Sequence, residues 1–300
     1  MPVNHIMRQR LGGTLVELLI ALPIAALLAA AAAATLISSW RLVRRAEASQ
    51  RATRELRHAQ AAFEAELRPL RASDIRSLAD TAIEFNALLG VGVICAAASG
   101  STSAVADRID VASPDPADPR GVSWASGVQV GDDLSLWRAN RDSVGALTEV
   151  RTTVRDISWG SACSAASWFA GWSDQRTVRL TLANPSLSPI VVGTAVAVRR
   201  RTRLTLYRSS GAWYAGKRTR SGGVWDIVQP VAGPFLSAAQ GGMTAWLIDA
   251  AGAATLVIAA AAAVRIELRA DRAPDGATST RRDTATFDVV LRGESAHRRR

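Results

Sequence analysis

The chain is short of the residues that most catalytic and metal chemistry needs. Its 300 residues hold two cysteines, Cys95 and Cys163, and three histidines, His5, His58 and His297. No imidazole lies between Ala59 and Ala296, so Ser-His-Asp and Cys-His catalysis have no base across the bulk of the sequence. Two thiols so far apart make neither a redox pair nor a zinc knuckle. HExxH and Walker-type motifs are absent, and Gly90-Val-Gly-Val-Ile-Cys95 lacks the third glycine of a dinucleotide loop. Lysine is nearly missing too: of 36 basic residues only Lys217 is not arginine. The excess of ten over the acids is thus an arginine excess, and with abundant alanine it fits coding bias as well as it fits a partner. A basic balance alone does not identify nucleic acid as a ligand.

Charge is absent from one long stretch. Leu18 to Ser39 contains no Asp, Glu, Lys or Arg, although the whole chain is 21% charged and 48% hydrophobic, a balance that suits one or two packed domains. As one helix from Thr14 to Ser39 the run extends about 39 Å, against a hydrocarbon core of about 30 Å, and can cross a bilayer once. Trp40 suits the interface. A polar leader with Arg8 and Arg10 precedes the run and Arg41, Arg44 and Arg45 follow it, so basic residues alone place the following segment in the cytoplasm. A secretory signal or an ordinary signal anchor is the plain alternative. Against a cleaved signal stand the polar leader, the position of Gly12 and Gly13 ahead of the run, and the lack of a break after it. Glu17 interrupts the start of the helix, and an ionisable group near bilayer depth is costly without a partner. Pro23 removes the backbone donor to the Leu19 carbonyl and predicts a kink or local melting.

The order Gly12-Gly13-Thr14-Leu15-Val16-Glu17-Leu18-Leu19-Ile20-Ala21 resembles the class III signal of type IV pilins and of the pseudopilins of type II secretion. The resemblance implies that a membrane prepilin peptidase cuts between Gly12 and Gly13. Gly13 becomes the new terminus and the candidate for N-methylation, although the family usually has Phe or another hydrophobe there. Glu17, fifth in the mature chain, is the implied assembly residue: a terminal amine and a buried carboxylate neutralise each other within or between subunits. Met7 is a second candidate start, with a leader of Met7 to Gly12. The implied divisions are a leader over 1–12, a transmembrane half-helix over 13–40, an amphipathic half-helix over 41–68 and a β-rich head over 69–300. The implied partners are other pilins or pseudopilins, the prepilin peptidase, the inner-membrane assembly platform and the lipid bilayer. The head is placed outside the cytoplasmic membrane, and later in a pilus or pseudopilus.

The residues beyond the span are read on their own account. Leu42, Ala46, Ser49, Thr53, Leu56, Gln60, Phe63 and Leu67 recur every three or four positions and predict a narrow apolar helix face, with Pro69 ending the run. A solvated or coiled-coil stalk is the alternative. From Ile75 the pattern changes to alternation, in Thr177–Leu182, Arg203–Tyr207, Val264–Leu268 and Thr284–Leu291. Turn signals stand at Ser209-Ser-Gly211, Ser221-Gly-Gly223 and Ala250-Ala-Gly252. The fold expected is α+β: a long amino-terminal helix on an antiparallel β-rich head. Ala259 to Ala263 is too short to cross a membrane and predicts a short helix or the approach to a strand. Arg200–Arg208, Gly211-Ala-Trp213, Trp246–Gly252 and Val264–Leu268 resemble, in this order, segments of the family's large minor subunits, the PilW type of minor pilin and minor pseudopilin J. Cys95 and Cys163 are either two separate buried thiols or, outside the cytoplasm, a disulfide closing a loop worth roughly 4 kcal/mol.

Three functions remain open at this stage. The first is a structural subunit that primes or caps a fibre, with no catalytic residue, metal or cofactor. The second is a DNA-binding minor pilin of a competence pilus, its phosphate contacts drawn from Arg199-Arg-Arg201, Arg203, Arg281-Arg282 and Arg298-Arg-Arg300 with tryptophans to stack bases. The third is a membrane-anchored extracytoplasmic protein unrelated to filaments, such as an enzyme using acids alone or a calcium binder at Asp132 and Asp133 or at Asp115 and Asp118. None of those aspartates has ligand-loop spacing.

Overall fold

The computed structural model describes residues 15–99, 106–112, 127–139, 147–160, 177–184, 193–271 and 282–292. Alanine and leucine, strong helix formers, fill the amino-terminal segment, and a single helix α1 runs from Leu15 to Leu67. The local melting predicted at Pro23 does not occur, because the helix is unbroken through it. One missing donor is tolerated when the turns on both sides are rich in alanine and leucine. The stripe that packs on the head is Ala52, Leu56, Ala59, Phe63 and Leu67. The predicted face is therefore rotated by about one position: Ala52 and Ala59 take the places expected of Thr53 and Gln60, and Leu42 stays exposed. Two methyl-sized side chains let the helix backbone lie close to a sheet, which a hydropathy count undervalues.

Fourteen strands follow among the described residues. They are β1 (Ile75–Ala79), β2 (Ala82–Ser99), β3 (Ala106–Ala112), β4 (Asp133–Ala139), β5 (Leu147–Trp159), β6 (Thr177–Leu182), β7 (Ala195–Ser209), β8 (Ala212–Ser221), β9 (Val224–Trp225), β10 (Gln229–Phe235), β11 (Met243–Asp249), β12 (Ala254–Thr255), β13 (Ala261–Asp271) and β14 (Arg282–Val290). The predicted alternating segments fall in β6, β7, β13 and β14, with Val264, Ile266 and Leu268 wholly buried. Two turn signals become two-residue hairpin turns with positive φ at both central positions, Ser210–Gly211 and Gly222–Gly223. The alanine run is half of each expectation: a 3-10 turn over Ile258–Ala260 leads into β13. The architecture is α+β, one long amino-terminal helix and a large antiparallel sheet.

The sheet encloses two cores. β2 pairs with β3, β3 with β6, β6 with β5, β5 with β4, β4 with β7, and β7 returns to β2, so six antiparallel strands close a ring. Every one of them sends side chains inward: Ile94, Ile109, Val111, Leu134, Leu136, Val154, Leu180, Leu182, Val196 and Val198 fill this small barrel. The second core lies between α1 and the rest of the sheet, where Phe63 and Leu67 meet Phe85, Leu204, Phe235, Leu247, Ile266 and Phe287. β2 and β7 serve both cores, Phe85 in one and Ile94 in the other. The register of β2 against β7 slips between Leu88 and Gly90, where the strand passes between them. The Gly90–Cys95 segment is accordingly the middle of a strand and no phosphate loop.

Candidate functional site

The feature that stands apart from the head is the first half of α1. Residues 17–47 are all exposed, and the head begins to cover the helix at Ala48. Leu18, Leu22, Leu28, Leu36 and Ile37 are each more than half exposed, and an 18-residue window here has a mean hydropathy of 2.4. This is one helix long and apolar enough to cross a membrane. Glu17 lies in its first described turn, the only acid or base of the described helix before Arg41, and about 46 Å of helix separates it from Ala48. Gly12 and Gly13, the expected cleavage and methylation positions, lie outside the described residues.

Cys95, on β2, is 2% exposed and disulfide-bonded. Cys163 lies outside the described residues, as do Asp115 and Asp118. Asp132 and Asp133 do not form a joint site. Asp132 receives two bonds of 2.8 Å from Arg200, both partners buried, and accepts the Gln129 backbone N–H. Asp133 is bonded by Arg76 at 2.8 Å and by the Asn86 amide at 2.7 Å. Among the described residues no group of three or more His, Cys, Asp or Glu side chains could hold a metal ion.

The arginine run Arg199-Arg-Arg201 is not a free basic patch. Arg199 is buried, bonds Ser135 and lies 3.4 Å from Asp74 and 3.7 Å from Glu149. Arg151 joins the same cluster, contacting Asp74 and Glu149. Burial lowers the Arg199 pKa from its ordinary value, against the opposing pull of Asp74 and Glu149. Burial also raises Glu149, yet hydrogen bonding from Ser135 and the charges of Arg151 and Arg199 leave its carboxyl below the ordinary range. Arg201 is bonded to Glu84. Of the other arginines expected to meet phosphate, Arg203 lies on β7, whereas the Arg282 side chain, Arg281 and Arg298 to Arg300 lie outside what is described.

Two groupings were missed from sequence. The Asp74–Arg199–Glu149–Arg151 cluster joins residues far apart in the chain, and no local spacing announces it. The second is an arginine face on the β7–β8 hairpin, where Arg203 stands directly opposite Arg218. The Ser210–Gly211 turn could have revealed this pairing, because a two-residue turn fixes which positions face each other. Compared with protein-family models, curated proteins and solved structures, the chain matches none.

Proposed function

We propose that this chain is a large minor subunit of a type IV pilus or type II secretion pseudopilus, which primes or caps fibre assembly. The observation that carries the reading is the unbroken helix Leu15–Leu67, bare and apolar in its first half and packed on a β head in its second, with Glu17 as the single charged side chain of that helix before Arg41. In this reading the prepilin enters the cytoplasmic membrane, is cut between Gly12 and Gly13, and exposes a cationic amine. That amine, on its own or a neighbouring subunit, compensates the Glu17 carboxylate in a medium where a lone charge is costly. The apolar rod then leaves lipid for a bundle of like rods without exposing its leucines to water.

A bonded Cys95 supports an extracytoplasmic head, since disulfides persist in oxidising compartments. Its partner in this reading is Cys163, the only other cysteine. This weighs against the orientation that the arginines after the span favour.

Glu17→Ala tests the reading. The variant is expected to be processed normally, with Gly13 at its amino terminus by sequencing of membrane-extracted protein, and to be depleted from sheared fibres. Normal incorporation removes the role of Glu17, and an uncut chain removes the filament assignment.

A further inference from the structure

One face of the head carries more arginine than acid among the described residues. The side of β7 and β8 turned away from the helix-packed core presents Arg201, Arg203, Arg218 and Arg220, with Arg76 at the rim. Arg203 and Arg218 are cross-strand neighbours, an arrangement of like charges that destabilises a sheet. Their Nε atoms are buried and have no hydrogen-bond partner. Glu84, which faces Arg203 across the ladder to β2, is engaged by Arg201. Asp133 is held by Arg76 and Asn86. Asp226 is held by Thr219 and Ser221, whose hydroxyls, through hydrogen bonding, set its pKa below the ordinary value. Arg220 donates to the Gly223 carbonyl at 2.8 Å and has no ion pair among the described residues.

Aromatic rings bound this row. The Trp225 ring lies under the Arg218 guanidinium at 4.8 Å and the Arg201 guanidinium at 5.9 Å. At the other end Tyr207 and Tyr214 pair across the ladder with ring centroids 6.2 Å apart. Between Arg76, Asp133, Arg201 and Arg220 lies an open cleft of about 360 Å³. Successive same-face positions on a strand are about 6.8 Å apart. The two arginine levels therefore offer guanidinium forks at a repeat close to that of phosphates along an extended strand.

We propose that this face binds the phosphodiester backbone of a single-stranded nucleic acid, with Arg203 and Arg218 as the central contacts. The open, linear layout suits an extended polyanion better than a small ion, which would call for an enclosed pocket. The flanking rings suit bases, whose faces stack without regard to sequence. A lipid headgroup is out of reach: Lys217, the neighbour of Arg218, is tied to Glu66, about 39 Å along the helix from Trp40. The inference stands apart from the filament reading, because it concerns only the head.

The test is fluorescence anisotropy of a labelled oligothymidylate of about twenty nucleotides with the full chain in neutral detergent, titrated at about 50 mM and about 200 mM salt. Binding is expected at low salt and is expected to weaken steeply at the higher one. The double variant Arg203→Gln/Arg218→Gln is expected to lose about tenfold in affinity and to flatten the salt slope. Arg54→Gln/Arg57→Gln, with the same charge change on the exposed side of α1, is expected to bind as the parent does. An absence of binding at low salt, or equal losses in the two double variants, overturns the proposal. Tighter binding of chondroitin sulfate than of the oligonucleotide overturns the nucleic-acid assignment.

Discussion

Single residues in this head are decided by how charge is buried. Asp132 and Arg200 share two 2.8 Å bonds out of solvent, so each makes the other tolerable, and removing either strands a charge. The cluster of Asp74, Arg199, Glu149 and Arg151 follows the same logic and has a consequence for acid stability. Glu149 titrates below its ordinary value of 4.5 in the folded chain, so the unfolded chain takes up its proton first as pH falls. Its contribution to stability is fully present above that value and is lost as pH drops through the folded-state pKa. Urea midpoints measured from about pH 6 down to about pH 3 are expected to fall, and Glu149→Gln is expected to start lower at neutral pH and fall less steeply. Parallel curves for the two proteins would show that Glu149 does not carry this dependence.

At the scale of elements, α1 is two things in one rod. Its first half has no core of its own, and its second half is fixed by five small or apolar residues a turn apart. Phe63 is fully buried at the centre of that contact. Phe63→Ala is expected to cost about 3–5 kcal/mol, read as a lower thermal midpoint of the detergent-solubilised chain and faster proteolysis after the arginines of α1. A loss below about 1 kcal/mol would mean that the helix is held mainly by its polar ties, Glu66 to Lys217 and Glu55 to the Gly233 backbone. The helix, its end before Pro69 and the alternating strands were legible because each is written in local spacing. The rotated contact stripe was not, since alanine reads as neutral in a hydropathy pattern and gains its value only from the approach it permits. The Glu17 environment was legible as a cost, whereas the arginine face needed cross-strand register. The closed ring was hidden for a related reason: its closing pairings join β6 to β3 and β7 to β2 across long stretches of chain, and β2 contains the glycines that suggest a loop.

The molecule as a whole is a rod, a helix-packed core and a barrel in series. α1 packs against β10, β13 and β14, while the barrel is tied to the helix-packed core through β2, β7 and the Asp74–Arg199 contact. Under the filament reading, the rod sets the position in the fibre and the barrel is bulk carried at a distance from it, which an end position accommodates and a dense shaft does not. A series arrangement also predicts unequal responses to reduction. The Cys95 disulfide belongs to the barrel side of β2, and under the proposed pairing with Cys163 it closes a loop of about seventy residues, worth roughly 4 kcal/mol in the chain-entropy model. The helix-packed core, with Phe63, Ile266 and Phe287, has no part in that loop. Hydrogen exchange before and after thiol reduction is therefore expected to show lost protection in β3, β4, β5 and β6, with residues 52–67 and β13 unchanged. Uniform loss would mean that the two cores unfold as one unit, and no loss anywhere would mean that the disulfide adds nothing the barrel packing does not already supply.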